Sequence, residues 1–262
     1  MINKEIYLKN FNDIEERLIA SKILDRANTA LRDHANTFTD FIDMYKLSKY
    51  LVMVHNISDL SIKAFGGYPE SERKIIGFCP DYRELQDYDF PVTPVEIHLK
   101  SSNEESISHR DYLGSVLGLG IERSKIGDIL VYDHKAIVFV NKDIASYIIN
   151  NLFKVKNIKA EAKEILLDEV VLPEPKIKEI TSTVSSLRAD SILSAGFQLS
   201  RSKIVDLIKS EKALINGVIA SPASHIKEGD FLTLRGFGKI KLAEVRGKTK
   251  KDRVSIVIHR YV

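Results

Sequence analysis

Three clusters of side chains in this sequence have the types and spacing to do chemistry. The first is His109-Arg110-Asp111. A histidine beside an aspartate has the parts of a general base. Neighbours on a helix do not face each other, however, and no nucleophile follows. The plainer reading is a contact patch at a helix start, with His109, Arg110 and the nearby Arg123 as its cations. The second cluster is Arg188 with Ser200-Arg201-Ser202-Lys203 and, further along the same helix, Lys209. Ser200 can cap a helix whose free N–H groups favour an anion. Arg201 and Lys203 stand in the first turn, where the helix dipole disfavours cations by roughly 0.3–1 kcal/mol. An approaching phosphate would offset that cost. Asp190 reads as a structural partner for an arginine. The third cluster is the run Arg235–Arg253. It holds Arg235, Lys239, Lys241, Arg246, Lys248, Lys250, Lys251 and Arg253 against Glu244 and Asp252. Gly236, Gly238 and Gly247 would let a phosphate chain come close to the backbone. Phe237 could stack on a base or anchor the loop.

The charge distribution gives these clusters a common partner. Thr181–Val262 carries 15 Lys/Arg against 7 Asp/Glu, a net of +8, and the rest of the chain has a net of −5. A basic end on an acidic body is an electrostatic footprint for a polyanion.

The elements that must position these residues can be read from periodicity. A length of 262 residues suggests two or three domains. Ile14, Leu18, Ile19 and Ile23 recur at helical spacing after a cap at Asn12, and Met44–Val54 repeats the pattern. Leu60–Phe65 alternates like a strand, and Arg73–Phe78 reads as another. Residues 1–80 are therefore expected to form a small α/β domain. In residues 81–172 the order is strand (Val95–Leu99), helix (Ser108–Leu117), two short strands (Ile129–Tyr132, Ala136–Val140), helix (Asp143–Leu152) and strand (Val155–Leu167). That is the βαββαβ order of ferredoxin-like and RRM-type folds. No run here matches the usual RRM stacking aromatics. Leu172-Pro173-Glu174-Pro175-Lys176 is a stiff linker. Residues 181–262 should form a helix pair followed by a small sheet. Ile204, Leu207 and Ile208 give the second helix a core face. Asn216-Gly217 marks a hairpin with a type I′ turn, and Gly229-Asp230 marks another turn. The fold class expected is α+β.

Other chemistry is disfavoured. The seven histidines are scattered and Cys79 is the single cysteine, so no metal site and no internal disulfide are expected. Gly118-x-Gly120-x-x-Ser124 follows a helix, not a strand, and lacks phosphate-cradle geometry. There is no P-loop and no Gly-x-Ser-x-Gly elbow. No cofactor is expected. No secretory signal or long apolar run is visible, so the expectation is a cytoplasmic monomer.

At this point a resemblance enters. Arg188-x-Asp190-x-x-Leu193, Leu199-Ser200-Arg201-Ser202-Lys203, Asn216-Gly217, Gly229-Asp230 and Arg235-Gly236-x-Gly238-Lys239 resemble the S-four RNA-binding domain. One departure is Glu211 and Leu214, where that family often has a glycine and a basic residue. The whole chain resembles the YlmH family, on Gly66-Gly67-Tyr68…Glu72-Arg73, His109–Gly114, Leu117–Ile121, Lys125-Ile126-Gly127-Asp128-Ile129 and Gly247–Asp252. The resemblance implies an N-terminal domain, an RRM-like middle domain and a C-terminal S-four domain. It also implies binding to structured RNA (rRNA, with peptidyl-tRNA a further candidate) on the large ribosomal subunit, in translation or ribosome-associated quality control. Two rivals remain. RNA-modifying enzymes such as pseudouridine synthases and methyltransferases also carry S-four domains, but neither a Gly-Arg-Leu-Asp stretch nor a glycine-rich loop after a strand is present. A cell-division scaffold is the other.

Overall fold

The computed structural model describes residues 2–100, 107–174, 177–249 and 252–261. The chain forms two compact units, Met1–Pro173 and Glu174–Val262. Among the described residues no helix is long and apolar enough to cross a membrane.

The first unit opens with helices α1 (Lys4–Leu8) and α2 (Ile14–Asp33), strands β1 (Thr37–Phe38) and β2 (Ile42–Asp43), helix α3 (Met44–Val54), and strands β3 (Leu60–Phe65) and β4 (Arg73–Pro80). The strands form one sheet around β4. The α2 cap is Asp13, whose carboxylate accepts from the Glu16 N–H at 2.8 Å; the sequence pointed to Asn12. The buried face of α2 is Ala20, Ile23, Leu24, Ala27 and Ala30, while Ile14 and Leu18 are exposed. The small alanines let α2 lie close on the sheet, and that sets the phase of the helix. Large apolar residues alone gave a stripe rotated from the true one.

Strand β5 (Val92–Leu99), helix α4 (His109–Leu117), strands β6 (Ile126–Val131) and β7 (Lys135–Asn141), helix α5 (Lys142–Asn151), and strands β8 (Lys154–Val155) and β9 (Ile158–Glu164) follow. The sheet runs β6-β7-β5-β9-β8, all antiparallel. This is the expected βαββαβ order with the final strand doubled into a hairpin. Val95, Ile97, Ala136, Val138 and Val140 face α4 and α5 in one core. Ile137 and Phe139 point the other way and pack with Phe65, Ile75 and Cys79 of the first sheet. Much of the face that an RRM-type sheet would offer to RNA is therefore closed by the N-terminal sheet.

The closure is held by one buried side chain. Arg73 is 7% exposed. Its guanidinium donates to the carbonyls of Ile126 (2.8 Å), Phe41 (3.2 Å) and Arg123 (3.2 Å) and pairs with Asp43. Burial, then the nearby Arg123, lowers its pKa to about 10, which leaves it charged at neutral pH. Asp128 completes the joint. It accepts from the Tyr68 hydroxyl (2.8 Å) and from the N–H groups of Glu72 (2.7 Å) and Arg73 (3.0 Å). Gly67 adopts φ +109° where any Cβ would lie 2.2 Å from the Phe139 ring. The Gly66-Gly67-Tyr68, Glu72-Arg73 and Gly127-Asp128 motifs thus meet at one joint.

Beside Ile137 in the same sheet, Glu96 is buried and receives Lys135 (2.5 Å), His98 (2.7 Å) and Lys163 (3.2 Å).

The second unit holds β10 (Ile177–Val184), α6 (Ala189–Phe197), α7 (Arg201–Lys209), β11 (Ala213–Ile215), β12 (Val218–Ile219), β13 (Phe231–Leu234), β14 (Gly238–Lys248) and β15 (Val254–Tyr261). Its sheet runs β10-β15-β14-β13-β11-β12. Ile192, Leu193, Ile204 and Ile208 from the helices pack on Leu232, Ile240, Leu242, Ile256 and Ile258. Strand β10 was not expected. It begins before residue 181 and pairs with β15 over its whole length, from Ile177↔Tyr261 to Val184↔Val254. The prolines of the linker hid it; Pro175 and Lys176 themselves lie outside the described residues. Asn216 (φ 49°) and Gly217 (φ 83°) make the expected tight turn between β11 and β12.

Two outcomes follow for the first unit. Asp128→Ala should lower unfolding free energy by ~2–4 kcal/mol, because it strands three donors, one of them beside a buried cation; denaturant melts measure it. Burial pushes the Glu96 carboxyl up, but hydrogen bonds from Lys135, His98 and Lys163 outweigh this and bring it down to about 2. A carboxylate lowered in the folded state stabilises fully above its unfolded pKa and ceases to do so as pH falls through the folded value. The native chain should therefore lose ~1–3 kcal/mol between about pH 4.5 and 2 from this group. Glu96→Gln should remove that part of the acid sensitivity in pH-dependent melts.

Candidate nucleic-acid interface

Helix α6 starts at Arg188 and stops where Gln198 turns left-handed (φ 56°). Ser200 then caps α7 through its hydroxyl, which accepts from the Lys203 N–H at 3.4 Å and lies 3.2 Å from the Ser202 hydroxyl. This turn brings Arg188 and Arg201 onto one carboxylate. Asp190 is 6% exposed. It accepts from Arg201 Nη2 at 3.0 Å and Arg188 Nε at 3.4 Å. Arg201 Nη2 also donates to the Ser191 hydroxyl at 2.8 Å. Both guanidiniums stay about half exposed. Asp190 is thus the structural partner the sequence suggested, and it corrects one inference. The dipole cost of Arg201 is offset inside the protein and does not require a phosphate. What the pairing leaves is two cations on one anion, a local net of +1, with Arg201 Nη1 and Nε unengaged among the described residues.

A basic–aromatic row continues on this side of the sheet. Lys203 Nζ lies 5.7 Å from the centroid of the Phe237 ring, Phe237 is 6.3 Å from Phe197, and the Arg260 guanidinium lies 5.3 Å from the Phe197 ring. Arg260 was not singled out from sequence. It lies in β15, one residue before that strand ends, in a run that reads as plain strand. Phe197 is buried and Phe237 half-buried, so Phe237 anchors its loop.

Other cations that the sequence singled out lie elsewhere on the unit. Lys239 and Lys241 alternate with the core residues Ile240 and Leu242, so they point to the sheet's other face. There their ammonium groups lie 4.7 and 5.3 Å from the Phe231 ring, with Tyr261 beside it. Asn216 is internally committed. Its side chain donates to Asp230 at 2.9 Å and accepts from the Phe231 N–H at 2.9 Å, with Gly217 completing the turn. Lys209 is exposed in the last turn of α7, where a cation suits the dipole. Arg235 is exposed on the β13–β14 turn, and Lys248 pairs with Asp252 at 2.7 Å. Lys250 and Lys251 lie outside the described residues. The helix-borne cations and the β14 lysines, two separate clusters in the sequence, thus lie on two faces of the sheet.

In the first unit, His109, Arg110 and Arg123 also separate. Arg123 bends back to the carbonyls of Ile126 and Gly127 (3.4 Å) and belongs to the joint around Arg73. His109 is exposed as a residue, yet desolvation of its ring, then Arg123, lowers its pKa, so it is a poor phosphate ligand at neutral pH. Asp111 is turned away from any base role; it accepts from the Ser108 N–H (2.8 Å) and hydroxyl (2.6 Å) and pairs with Lys156. Arg110 alone is an exposed cation of the three. A cavity of about 610 Å³ beside α2 is lined by alternating cations and carboxylates, including the committed Arg73, and carries no net preference for an anion.

Comparison with known proteins agrees with this architecture. Residues 15–82 match the family model for the N-terminal domain, "YlmH, N-terminal", and residues 86–169 match "Putative RNA-binding domain in YlmH". The two matches meet between β4 and β5. A curated relative from Bacillus subtilis (strain 168), "Ribosome-associated protein quality control protein P2", is 28% identical over 247 residues, 94% of this chain and 95% of that protein. A solved structure, "Cell division protein ylmH from Streptococcus pneumoniae", superposes with a TM-score of 0.51 at 26% identity, covering 62% of this chain and 97% of that one. With two of its domain models matched in order and a relative aligned almost end to end, the chain belongs to the YlmH family.

Proposed function

We infer that this protein is a cytoplasmic, non-catalytic RNA-binding factor that docks on ribosomal RNA of the large subunit and serves ribosome-associated quality control, with peptidyl-tRNA as a further contact. The observation that carries the reading is the pair of guanidiniums sharing buried Asp190 at the start of two consecutive helices. Fixed arginines with unengaged N–H groups suit a phosphodiester, because the planar fork offers two donors at once and stays charged. The Ser200-capped helix end adds N–H groups directed outward. The helix pair followed by a turn-rich antiparallel sheet fits the S-four module that its motifs resemble. The relative's name, with its reference to ribosome association and quality control, supports the cellular setting.

The reading includes no chemical step. The His109–Asp111 pair is divided between two separate networks, and among the described residues no three His, Cys, Asp or Glu side chains gather as a metal site. A modifying enzyme of the pseudouridine synthase or methyltransferase class would have to place a base against a catalytic group, and this reading assigns no residue to that role.

The test is binding of the full chain to purified large subunits and to ribosomal RNA across a salt series. Log affinity should fall linearly with log salt, by about 0.7 per phosphate neutralised for single strands. Arg201→Ala with Lys203→Ala should flatten that slope by roughly one unit and weaken binding about tenfold. Because Arg201 also pairs with Asp190, Arg201→Lys with Lys203→Ala is measured beside it to separate binding from folding. Unchanged slopes in both variants would remove the helix pair from the interface.

A further inference from the structure

The first unit carries a basic groove away from its sheet face. With Ile137 and Phe139 buried under the N-terminal sheet, the RRM-type face has no room for stacked bases. On the opposite side, the start of α4, the end of α5 and strand β8 enclose an open groove of about 550 Å³. Its charged lining is Arg110, Lys154 and Lys156 against Asp111 alone, and Asp111 is already held by Ser108 and Lys156. Phe153, also in the lining, is 68% exposed. It directly precedes the short hairpin of β8 and β9, between the buried Leu152 and, two residues on, the buried Val155.

Two features of this rim have no folding explanation among the described residues. Lys154 stands directly opposite Lys159 across the hairpin, both exposed. Like charges in that position destabilise a strand pair unless an anion lies between them. The phenyl ring of Phe153 is spent on water although an apolar core lies beneath it. A polyanion with unpaired bases answers both, since lysines neutralise phosphates and an exposed ring stacks on a base of any identity.

We propose that the groove bounded by Arg110, Phe153, Lys154 and Lys156 binds the phosphate backbone of RNA, with one unpaired base stacked on Phe153. This rests on the RNA-binding reading above and adds a second contact on a different unit. Charge complementarity favours RNA over an apolar peptide, because the groove's cations outnumber its carboxylates three to one. Gly114, whose missing Cβ would touch nothing, leaves the groove floor open beside Arg110.

The experiment uses the full chain with two labelled probes, an RNA hairpin with an unpaired loop and a blunt RNA duplex of equal charge. Phe153→Ala should weaken hairpin binding by roughly fivefold or more and leave duplex binding nearly unchanged. Phe153→Trp should retain hairpin binding. Arg110→Ala with Lys154→Ala should weaken both probes and flatten the salt slope by about one unit. The Phe153 variants should melt with the native chain, as that side chain is exposed, and the double variant should melt no lower, because Lys154→Ala relieves the like-charge pair. If the native chain binds neither probe, the functional reading fails and this one with it. If the native chain binds while Phe153→Ala and the double variant match it on both probes, the groove proposal is overturned and the functional reading stands. If the variants keep full RNA affinity but no longer co-sediment with ribosomes, the occupant is a protein segment, and the RNA assignment is overturned.

Discussion

The first unit depends on keeping one guanidinium charged inside the protein. Arg73 reaches the carbonyls of Phe41, Arg123 and Ile126, which belong to both halves of the unit, and pairs with Asp43. A lysine could not replace it, because a point charge on a flexible stem cannot serve three acceptors in fixed directions. Burying a cation is costly unless all its hydrogen bonds are made. That requirement forces the neighbouring loops into place: Asp128 must hold the Glu72 and Arg73 backbone, and Tyr68 must reach Asp128. Glycine at 67 is needed because Phe139 fills the space a side chain would take.

A consequence runs from this joint to recognition. Pinning the N-terminal sheet over β7 closes the surface through which a sheet of this topology would stack bases. Any nucleic-acid contact by this unit must then come from its rim and its helical side. The second unit faces a different constraint. Its sheet alternates core and surface residues, so cations two apart in sequence share a face while the helix-borne ones lie on the other. Arg188, Arg201 and Lys203 on one side, and Lys239 and Lys241 on the other, cannot grip one phosphate together.

Much of this was legible in the sequence wherever side-chain period and burial agree. Met44–Val54 and Leu60–Phe65 were read to the residue as α3 and β3, because α3 has one buried face and β3 alternates up to its stop at Gly66-Gly67. The βαββαβ order followed from the same alternation. Three things were not legible. The phase of α2 is set by alanines, which carry little hydrophobic signal. Strand β10 has mostly exposed side chains and draws its place from pairing with β15, a partner some eighty residues away. Arg123 looked like a surface cation, since no sequence pattern reveals a guanidinium that turns back to carbonyls three and four residues on. Phe153 was passed over for the opposite reason; at the end of an apolar helix a phenylalanine reads as core, and only the structure puts it in solvent.

The overall charge balance explains why a small groove could matter. The chain up to residue 180 has a net charge of −5 and on average repels RNA, whereas the remainder carries +8. At physiological ionic strength charges are screened beyond about 8 Å. Over that range an approaching phosphate beside Arg110 and Lys154 feels those cations more than the distant acidic surface. Such a site is weak for free RNA, which must first overcome the long-range repulsion. It gains strength once the basic unit has already engaged the same RNA, because the second contact then forms at a high effective concentration. An acidic body with a local basic groove therefore discriminates. On the groove proposal, the gain is largest on a target that reaches both surfaces and smaller on short RNA that reaches one.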